Sequence, residues 1–283
     1  MAHFTNPIVD QFPGWTGTAC GQFVYDFFGV RTDPTFKDKF EPPAAGTYLE
    51  PKAPTPNTAF FELETIIECA LRAEGRFVMA ELGAGYGLWC VRAGVAVRRL
   101  HPDVDISLIA VEAEPTHFEW LRQHLADNGF DPEEHRVWHG AVTAEDGSIS
   151  FPKLARPDAD YGAAVNQTKR GKFETETMDV PSYSLKTVLE GYDVVDVLHI
   201  DIQGAEDEAL RTGMDVILEK VKLVYVATHS REIDQSVSRR LKQAGLTPRY
   251  RFPWRSYWDT IWGPIRFKDG CHIWVNPAFA KGD

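Results

Sequence analysis

Residues 77–87 of this 283-residue chain are the stretch that decides its fold, and they read Phe77-Val78-Met79-Ala80-Glu81-Leu82-Gly83-Ala84-Gly85-Tyr86-Gly87. A short apolar run that ends at a glycine-rich turn is typical of a buried strand, because glycine lets the backbone turn sharply and approach a ligand closely. Further apolar runs at 106–111, 136–142, 194–200 and 221–227 alternate with helical patterns. This alternation predicts an α/β fold with a mostly parallel sheet and helices on both faces.

The two ends of the chain differ from this regular part. Residues 1–56 are rich in proline, glycine and aromatic side chains, which predicts an ordered but irregular N-terminal extension or cap. Asn57 or Thr58 is placed to cap the first helix of a main domain that covers residues 57–283. The tail at 246–275 predicts strands around a long aromatic loop, as an antiparallel edge of the sheet.

Composition and charge limit the partners that we expect. Hydrophobic residues make up 43% and charged residues 25%, which is ordinary for a soluble globular protein. The 41 acidic and 30 basic residues give a net charge of −11, which repels phosphate backbones, so we expect no nucleic-acid partner. Four scattered cysteines, the lack of a signal-peptide pattern and the lack of an apolar run of about 18 residues predict a cytoplasmic protein with reduced thiols and no membrane span. A homo-oligomer is compatible with the sequence.

The glycine-rich turn also predicts the kind of ligand. A dinucleotide fingerprint requires glycine at position 88, which is leucine here, so a nicotinamide dehydrogenase is disfavoured. An acidic residue followed by three alternating glycines is instead the pattern of S-adenosylmethionine enzymes. Ligands of open α/β sheets bind beyond the carboxyl ends of the strands, so Glu112 is placed to accept two ribose hydroxyls, whereas Glu114 is expected only to stabilise a helix N-terminus. The predicted cofactor-binding residues are Glu81, Gly83, Ala84, Gly85, Gly87, Glu112, Ala141 and Asp201.

From about Arg76 to Tyr250 the chain resembles the FkbM-type S-adenosylmethionine-dependent methyltransferases. The resemblance rests on residues 81–87 and 111–115, on a hairpin at Asp146-Gly147, and above all on His199-Ile200-Asp201-Ile202-Gln203-Gly204-Ala205-Glu206. The family's version of this last segment is close to I-D-V-E-G-A-E, so Gln203 stands where many members carry glutamate. The resemblance implies a Rossmann-like class I methyltransferase fold and methylation of a hydroxyl group on a sugar, a polyketide or another natural product. Two alternatives stay open: an N-methyltransferase and a catalytically impaired cofactor-binding subunit, the latter because of Gln203.

Three polar side chains are candidates for the chemistry of methyl transfer. Asp201 follows the fourth strand, Glu206 lies one helical turn further on, and His229 follows the fifth strand, so the three are placed to converge on one acceptor. In one arrangement His229 is the general base and Asp201 orients it or the acceptor. In the other, Asp201 and a residue of the fifth strand bind Mg²⁺, which lowers the pKa of the acceptor hydroxyl. Asp, Gln and His make a poor set of Mg²⁺ ligands, so we favour metal-independent chemistry. Glu206 fits a helix-capping role equally well.

Other residues are candidates for acceptor binding. Tyr161, in a long loop before the fourth strand, and Gln203 are the predicted substrate residues. Aromatic and arginine side chains of the tail are placed either to bind an acceptor or to pack against the extension or a second copy; they are Trp254, Tyr257, Trp258 and Trp262 with Arg251, Arg255 and Arg266. Among the other histidines, His199 is expected in the core, and His101, His124 and His135 at the surface.

Overall fold

The computed structural model describes residues 7–261 and 263–279, so Trp262 of the aromatic tail lies outside the described residues. Seven strands form the central sheet. Numbered along the chain, they are β1 Arg76–Leu82, β2 Asp105–Glu112, β3 Arg136–His139, β4 Val195–Ile200, β5 Val221–Thr228, β6 Thr247–Phe252 and β7 Gly270–Val275.

The spatial order of these strands is β6-β7-β5-β4-β1-β2-β3. Strands β1 to β5 pair in parallel, and β7 runs antiparallel to both β5 and β6. The predicted α/β sheet with an antiparallel C-terminal edge is therefore confirmed. Because the chain runs outward from β1 to β3 and then returns to β4, the carboxyl ends of β1 and β4 form a switch point, where open α/β sheets bind ligands.

Helices cover both faces of the sheet. They are α1 Thr58–Leu71, α2 Leu88–Leu100, α3 Pro115–Asp127, α4 Leu185–Val188, α5 Glu206–Lys220 and α6 Arg231–Gln243. Apolar side chains of α1, α2 and α3 fill the core on one face, and those of α4, α5 and α6 fill the core on the other. Of the two expected caps of α1, Asn57 is the one used, since its side chain accepts from the N–H of Phe60. Within the described part of the chain, no helix is long and apolar enough to cross a membrane.

The third strand ends at His139 rather than at 142, so it is shorter than predicted. The prediction of a hairpin at Asp146-Gly147 is wrong. Beyond β3 the chain enters a second sheet, in which Thr177–Tyr183 lies between Ala141–Val142 and Gly147–Pro152. The carboxylate of Asp146 accepts from the N–H of Ser184 and the hydroxyl of Thr187 instead of closing a two-strand turn. A distant strand thus takes the pairing position that a local hairpin would have used.

The N-terminal extension is ordered and irregular over its described residues. Its strands are two residues each, with Gly17–Thr18 pairing Tyr48–Leu49 and Val24–Tyr25 pairing Arg31–Thr32. Phe28 is fully buried in the same core as α1 and α2. The extension also forms an ion pair with α2, in which Asp26 Oδ2 lies 2.8 Å from Arg92 Nε.

Candidate cofactor and acceptor site

The glycine-rich loop that follows β1 packs against the carboxyl ends of β2 and β4. Gly83 has a φ of 74°, and a Cβ there would lie 2.0 Å from the carbonyl oxygen of Asp201, which follows β4. The N–H groups of Gly83 and Ala84 donate to the carbonyl oxygen of Val111 on β2. Position 83 therefore requires glycine, which has no Cβ and adopts positive φ without strain.

Two buried carboxylates hold this loop and the helix that follows it. Glu112 accepts from the N–H of Gly85 and of Glu114, at 2.7 Å each. Glu81 accepts from the N–H groups of Trp89 and Cys90 in the first turn of α2. Burial raises the pKa of each carboxyl to about 7. Glu114 caps α3 through the N–H of His117, the helix-terminal role that was expected for it.

A cavity of about 270 Å³ opens beside these carboxylates. It contains seven of the predicted cofactor residues, namely Glu81, Gly83, Ala84, Gly85, Glu112, Ala141 and Asp201, and both predicted substrate residues, Tyr161 and Gln203. Gly87 does not line it: a Cβ there would lie 2.3 Å from Leu121, so this glycine serves the packing of α2 on α3.

Several residues that line the cavity were not singled out from the sequence. Phe151 and Val165 pack with Ala113 and Ala141 in a small apolar cluster at one end. The alternation of serine with apolar residues in 148–151 is a signal that would have placed Phe151 inward. Lys37 comes from the extension and has no local signal at all.

Asp201, Glu206 and His229 converge, as their strand-end positions predict. His229 Nδ1 lies 2.7 Å from Glu206 Oε1, and its Nε2 lies 3.2 Å from Asp201 Oδ1. Glu206 is fully buried, and its Oε1 also accepts from the N–H of Gly204. Its Oε2 has no hydrogen-bond partner among the described residues. Glu206 therefore contacts the turn before α5 and His229, but it caps none of the first N–H groups of α5, so the helix-capping role expected for it is wrong.

The contacts of His229 determine its charge. A neutral imidazole carries one N–H, so it can donate to one of the two carboxylates, whereas the imidazolium donates to both. Burial alone would lower the pKa of His229, but Asp201 and Glu206 raise it to about 10. His229 is therefore a cation at neutral pH. The ligand-type atoms of the three residues lie within 4.8 Å of one another, close enough for one metal ion to reach all three.

A model of the FkbM methyltransferase domain matches residues 82–245. The chain belongs to this family. A protein of Jannaschia sp. (strain CCS1) named "Putative methyltransferase" is 29% identical in a match over 182 residues that covers 61% of this chain and 63% of that protein. The chain thus matches less than two thirds of that relative's length.

Solved structures give more distant similarities. The FkbM methyltransferase of Methylobacillus flagellatus KT is 10% identical with a TM-score of 0.43, over 79% of this chain and 56% of that one. The precorrin-6Y C5,15-methyltransferase of Geobacter metallireducens GS-15 is 12% identical with a TM-score of 0.42, over 76% and 86%. The strand order of the sheet, rather than these similarities, identifies the class I methyltransferase fold of this FkbM family member.

Gln203, which stands where the resemblance implies glutamate in many members, contacts the predicted catalytic aspartate of this FkbM chain. Its Nε2 donates to Asp201 Oδ1 at 2.7 Å. Gln203 has a φ of 51°, a conformation that side-chain-bearing residues rarely adopt, so its place in the turn after β4 is tightly specified. An amide at this position donates a hydrogen bond to Asp201, which a glutamate carboxylate would not do.

Tyr161 closes one side of the cavity. Its ring stacks on His117 with centroids 4.2 Å apart, and a Cβ on Gly85 would lie 3.2 Å from it. Its hydroxyl donates to the carbonyl oxygen of Phe36 in the extension. Tyr161 thus links the long loop to the extension above the glycine-rich loop.

Two histidines differ in their surroundings from what the sequence suggests. His124 was expected at the surface, but it is fully buried, because Thr32 and Phe36 of the extension cover that face of α3. His199 is buried as expected, stacked on Tyr225, yet it also lines the cavity. No described residue of the aromatic tail lines the cavity.

Proposed function

We propose that this chain is an S-adenosylmethionine-dependent methyltransferase that acts on a hydroxyl group of a sugar or another natural product. One observation carries the proposal: a single cavity joins the glycine-rich loop and Glu112 to Asp201 and Gln203. A ligand held by the glycine-rich loop would present its reactive end at Asp201, beside His229. Family membership supports the same chemistry.

The residues of the cavity fit S-adenosylmethionine. Gly85 leaves space under Tyr161 that any Cβ would fill. Glu112 offers a carboxylate to paired hydroxyls, and the cluster around Ala141 and Phe151 offers an apolar surface to an adenine ring. Two buried carboxylates, Glu81 and Glu112, favour a cationic ligand. When bound, this cofactor would supply an electrophilic methyl group on a sulfonium.

Asp201 is the residue that we assign to the acceptor hydroxyl. Its Oδ1 faces Gln203 and His229, so Oδ2 is the oxygen that would accept a hydrogen bond from the acceptor. His229, held as a cation between Asp201 and Glu206, has no lone pair with which to act as the general base, so its role would be to fix the direction of the Asp201 carboxylate. Asp201 Oδ2 would take the proton of the acceptor hydroxyl as its oxygen receives the methyl group. Positioning of this kind is worth up to about 7–11 kcal/mol, and a general base adds about 10²–10⁴-fold.

The arrangement that we favour needs no metal. The positive charge between Asp201 and Glu206 is the imidazolium of His229. EDTA should therefore leave activity unchanged. If EDTA abolished turnover and Mg²⁺ restored it, the metal arrangement, with Asp201 as a ligand, would replace this one.

Calorimetry with S-adenosylmethionine, followed by turnover on a panel of sugars, hydroxylated polyketides and amines, tests the proposal. We expect binding and a product methylated on oxygen, identified by mass spectrometry and NMR. A product methylated on nitrogen would favour the N-methyltransferase. Binding without turnover of any acceptor would favour the impaired subunit, and absence of binding would exclude the proposed cofactor.

A further inference from the structure

A groove of about 890 Å³ lies between α6 and residues 251–256, apart from the cofactor cavity. Five cationic side chains line it, and they are Arg231, Arg239, Lys242, Arg251 and Arg255. The acid among the described lining residues, Asp234, is buried, and its Oδ2 accepts from Thr228, Trp254 and His272. The groove is therefore positive on a chain whose net charge is −11.

The cations of the groove lack acidic partners, whereas basic residues beside them in the chain are paired. Arg240 of α6 lies 3.0 Å from Asp207. Arg249 of β6 forms an ion pair with Glu68. None of the five groove cations forms an ion pair with an acid of the described residues. Since like charges that are grouped together repel each other unless an anion lies among them, this lining indicates an anionic ligand.

The chemistry of the lining favours phosphate as this anion. Arg251 is held in place by donating to Ser238 Oγ at 3.2 Å, and the guanidinium of Arg255 lies 4.4 Å from the centre of the Trp254 ring. Arginine donates two parallel N–H groups, a geometry that matches the oxygens of phosphate. A phosphate monoester carries close to two negative charges at neutral pH, so it satisfies a group of cations better than one carboxylate does.

The groove reaches the edge of the sheet where the candidate site lies. Cys271 of β7 pairs with Ala227 on β5 and with Phe252 on β6. Residues 253–256 therefore leave the sheet at the same edge as His229. From β4 to β6 there are three strand spacings of about 4.8 Å, roughly 14 Å in all. One elongated small molecule can therefore contact both the candidate site and the groove.

We propose that the groove binds the phosphate groups of the methyl acceptor, which is then a phosphorylated sugar, such as a sugar attached to a nucleoside diphosphate. The hydroxyl that is methylated lies at Asp201 in this arrangement, and the phosphates lie between α6 and residues 251–256. The inference rests on the proposed function, because it assigns the anion to the acceptor of that reaction.

Calorimetry of the full chain with inorganic pyrophosphate tests the groove directly. We expect one binding site, with an affinity that falls as salt is raised. Arg251→Gln combined with Arg255→Gln should weaken binding by at least about tenfold, because charge-assisted hydrogen bonds are lost. Arg211→Gln, which changes an exposed arginine of α5, should bind as the wild type does. Thermal unfolding checks that each variant is folded. Absence of pyrophosphate binding, or equal binding by the double variant, would overturn the proposal.

Paired acceptors connect the groove to the reaction. Each sugar is assayed free and as its nucleoside diphosphate derivative, at saturating S-adenosylmethionine. We expect kcat/KM to be at least about tenfold higher for the phosphorylated member of a pair, through a lower KM. The double variant should lose this preference, and Arg211→Gln should keep it. Pyrophosphate should compete with the phosphorylated acceptor.

The outcomes separate this inference from the proposed function. Methylation of sugars with no preference for the phosphorylated member would overturn the inference and leave the proposed function intact. Absence of S-adenosylmethionine binding would contradict the proposed function, and with it the assignment of the anion to the acceptor, even if pyrophosphate bound. Methylation of an RNA oligonucleotide that depended on Arg251 and Arg255, without turnover of phosphorylated sugars, would overturn the inference in favour of nucleic acid.

Discussion

Glu112 lies at the end of β2, where burial raises the pKa of its carboxyl from the ordinary value to about 7. Only the ionised form accepts from Gly85, Glu114 and two ribose hydroxyls at once. Affinity for S-adenosylmethionine should therefore fall as the pH falls through 7, by about tenfold between pH 8 and pH 6. Calorimetric Kd values across this range measure the effect.

The variant Glu112→Gln separates this residue from its neighbours that also titrate. His117 Nδ1 lies 3.9 Å from Glu112 Oε1, and burial also raises the pKa of Glu81 to about 7. Loss of a charge-assisted hydrogen bond is worth about 1.5–3 kcal/mol, so the variant should bind about tenfold to a hundredfold more weakly at pH 8 and lose the dependence on pH. Wild-type affinity and pH dependence in the variant would remove Glu112 from the site.

His229 and Asp201 should fail together when either is changed. His229→Ala and Asp201→Asn are each expected to lower kcat by about two orders of magnitude or more. The double variant should be little worse, because His229 acts through the orientation of the Asp201 carboxylate. The affinity of His229→Ala for cofactor should stay near that of the wild type. His101→Ala is the control, because His101 lies at the C-terminal end of α2 and is expected to have no role in the site, so its kcat should stay near that of the wild type.

The pH profile adds an independent check on the charge of His229. Since Asp201 and Glu206 raise its pKa to about 10, the cation is present at neutral pH and is lost as the pH rises through 10. Wild-type kcat should therefore decline at that alkaline limit. A full multiplicative loss in the double variant, or a rise in kcat on the alkaline side, would show that His229 acts independently as a neutral base.

At the scale of elements, the turn between β1 and α2 is where an added side chain is tolerated least. Gly83→Ala would place a Cβ 2.0 Å from the backbone oxygen of Asp201, so the ends of β1 and β4 must separate. Gly75→Ala is the matched control, because Gly75 has a similar φ of 65° and no heavy atom near its Cβ position.

The positive φ lowers the free energy of unfolding of both alanine variants by about 1–2 kcal/mol. Only Gly83→Ala adds the clash, so its free energy of unfolding should fall by about 1–3 kcal/mol more than that of the control. Its cofactor affinity should fall as well. Chemical denaturation and calorimetry measure the two effects. Equal stability of the two variants would mean that the loop yields without moving the strands.

At the scale of the whole molecule, the extension and the sheet share one core. Phe28 is fully buried among residues that also pack on α1 and α2. Phe28→Ala should therefore lower the free energy of unfolding of the entire chain by about 3–5 kcal/mol in a single transition. Tyr48→Ala, in an exposed position of the same extension, should change it by less than about 0.5 kcal/mol.

The outcome of Phe28→Ala distinguishes a core segment from a lid. A lid would be expected to leave cofactor binding intact when the extension is weakened. Tyr161, which donates to Phe36 and covers Gly85, ties the extension to the cofactor cavity. We therefore expect deletion of residues 1–56 to lose stability and cofactor binding together, as measured by thermal unfolding and calorimetry. Unchanged cofactor binding after the deletion would instead indicate that the extension acts as a lid over the site.

Local patterns were sufficient for the sheet and for the residues at its strand ends. Apolar runs and glycine turns predicted β1 to β5, because strand burial and positive φ impose residue types on short stretches of chain. The same reasoning placed Asp201, Glu206 and His229 together, since parallel strands bring their carboxyl ends to one edge. The glycine-rich motif and the strand pattern depend on residues that are close together in the sequence, so the sequence alone shows them.

Contacts between distant segments were decided only by the tertiary structure. The burial of His124 depends on Thr32, which is 92 residues away in the sequence. No hairpin forms at Asp146, because the strand that pairs with residues 147–152 comes about 30 residues later in the chain. The charge of His229 depends on both of its nitrogens facing carboxylates, which strand order alone does not specify. Protonation and burial follow from the full set of surrounding atoms, because solvent exclusion and charge act through space rather than along the chain.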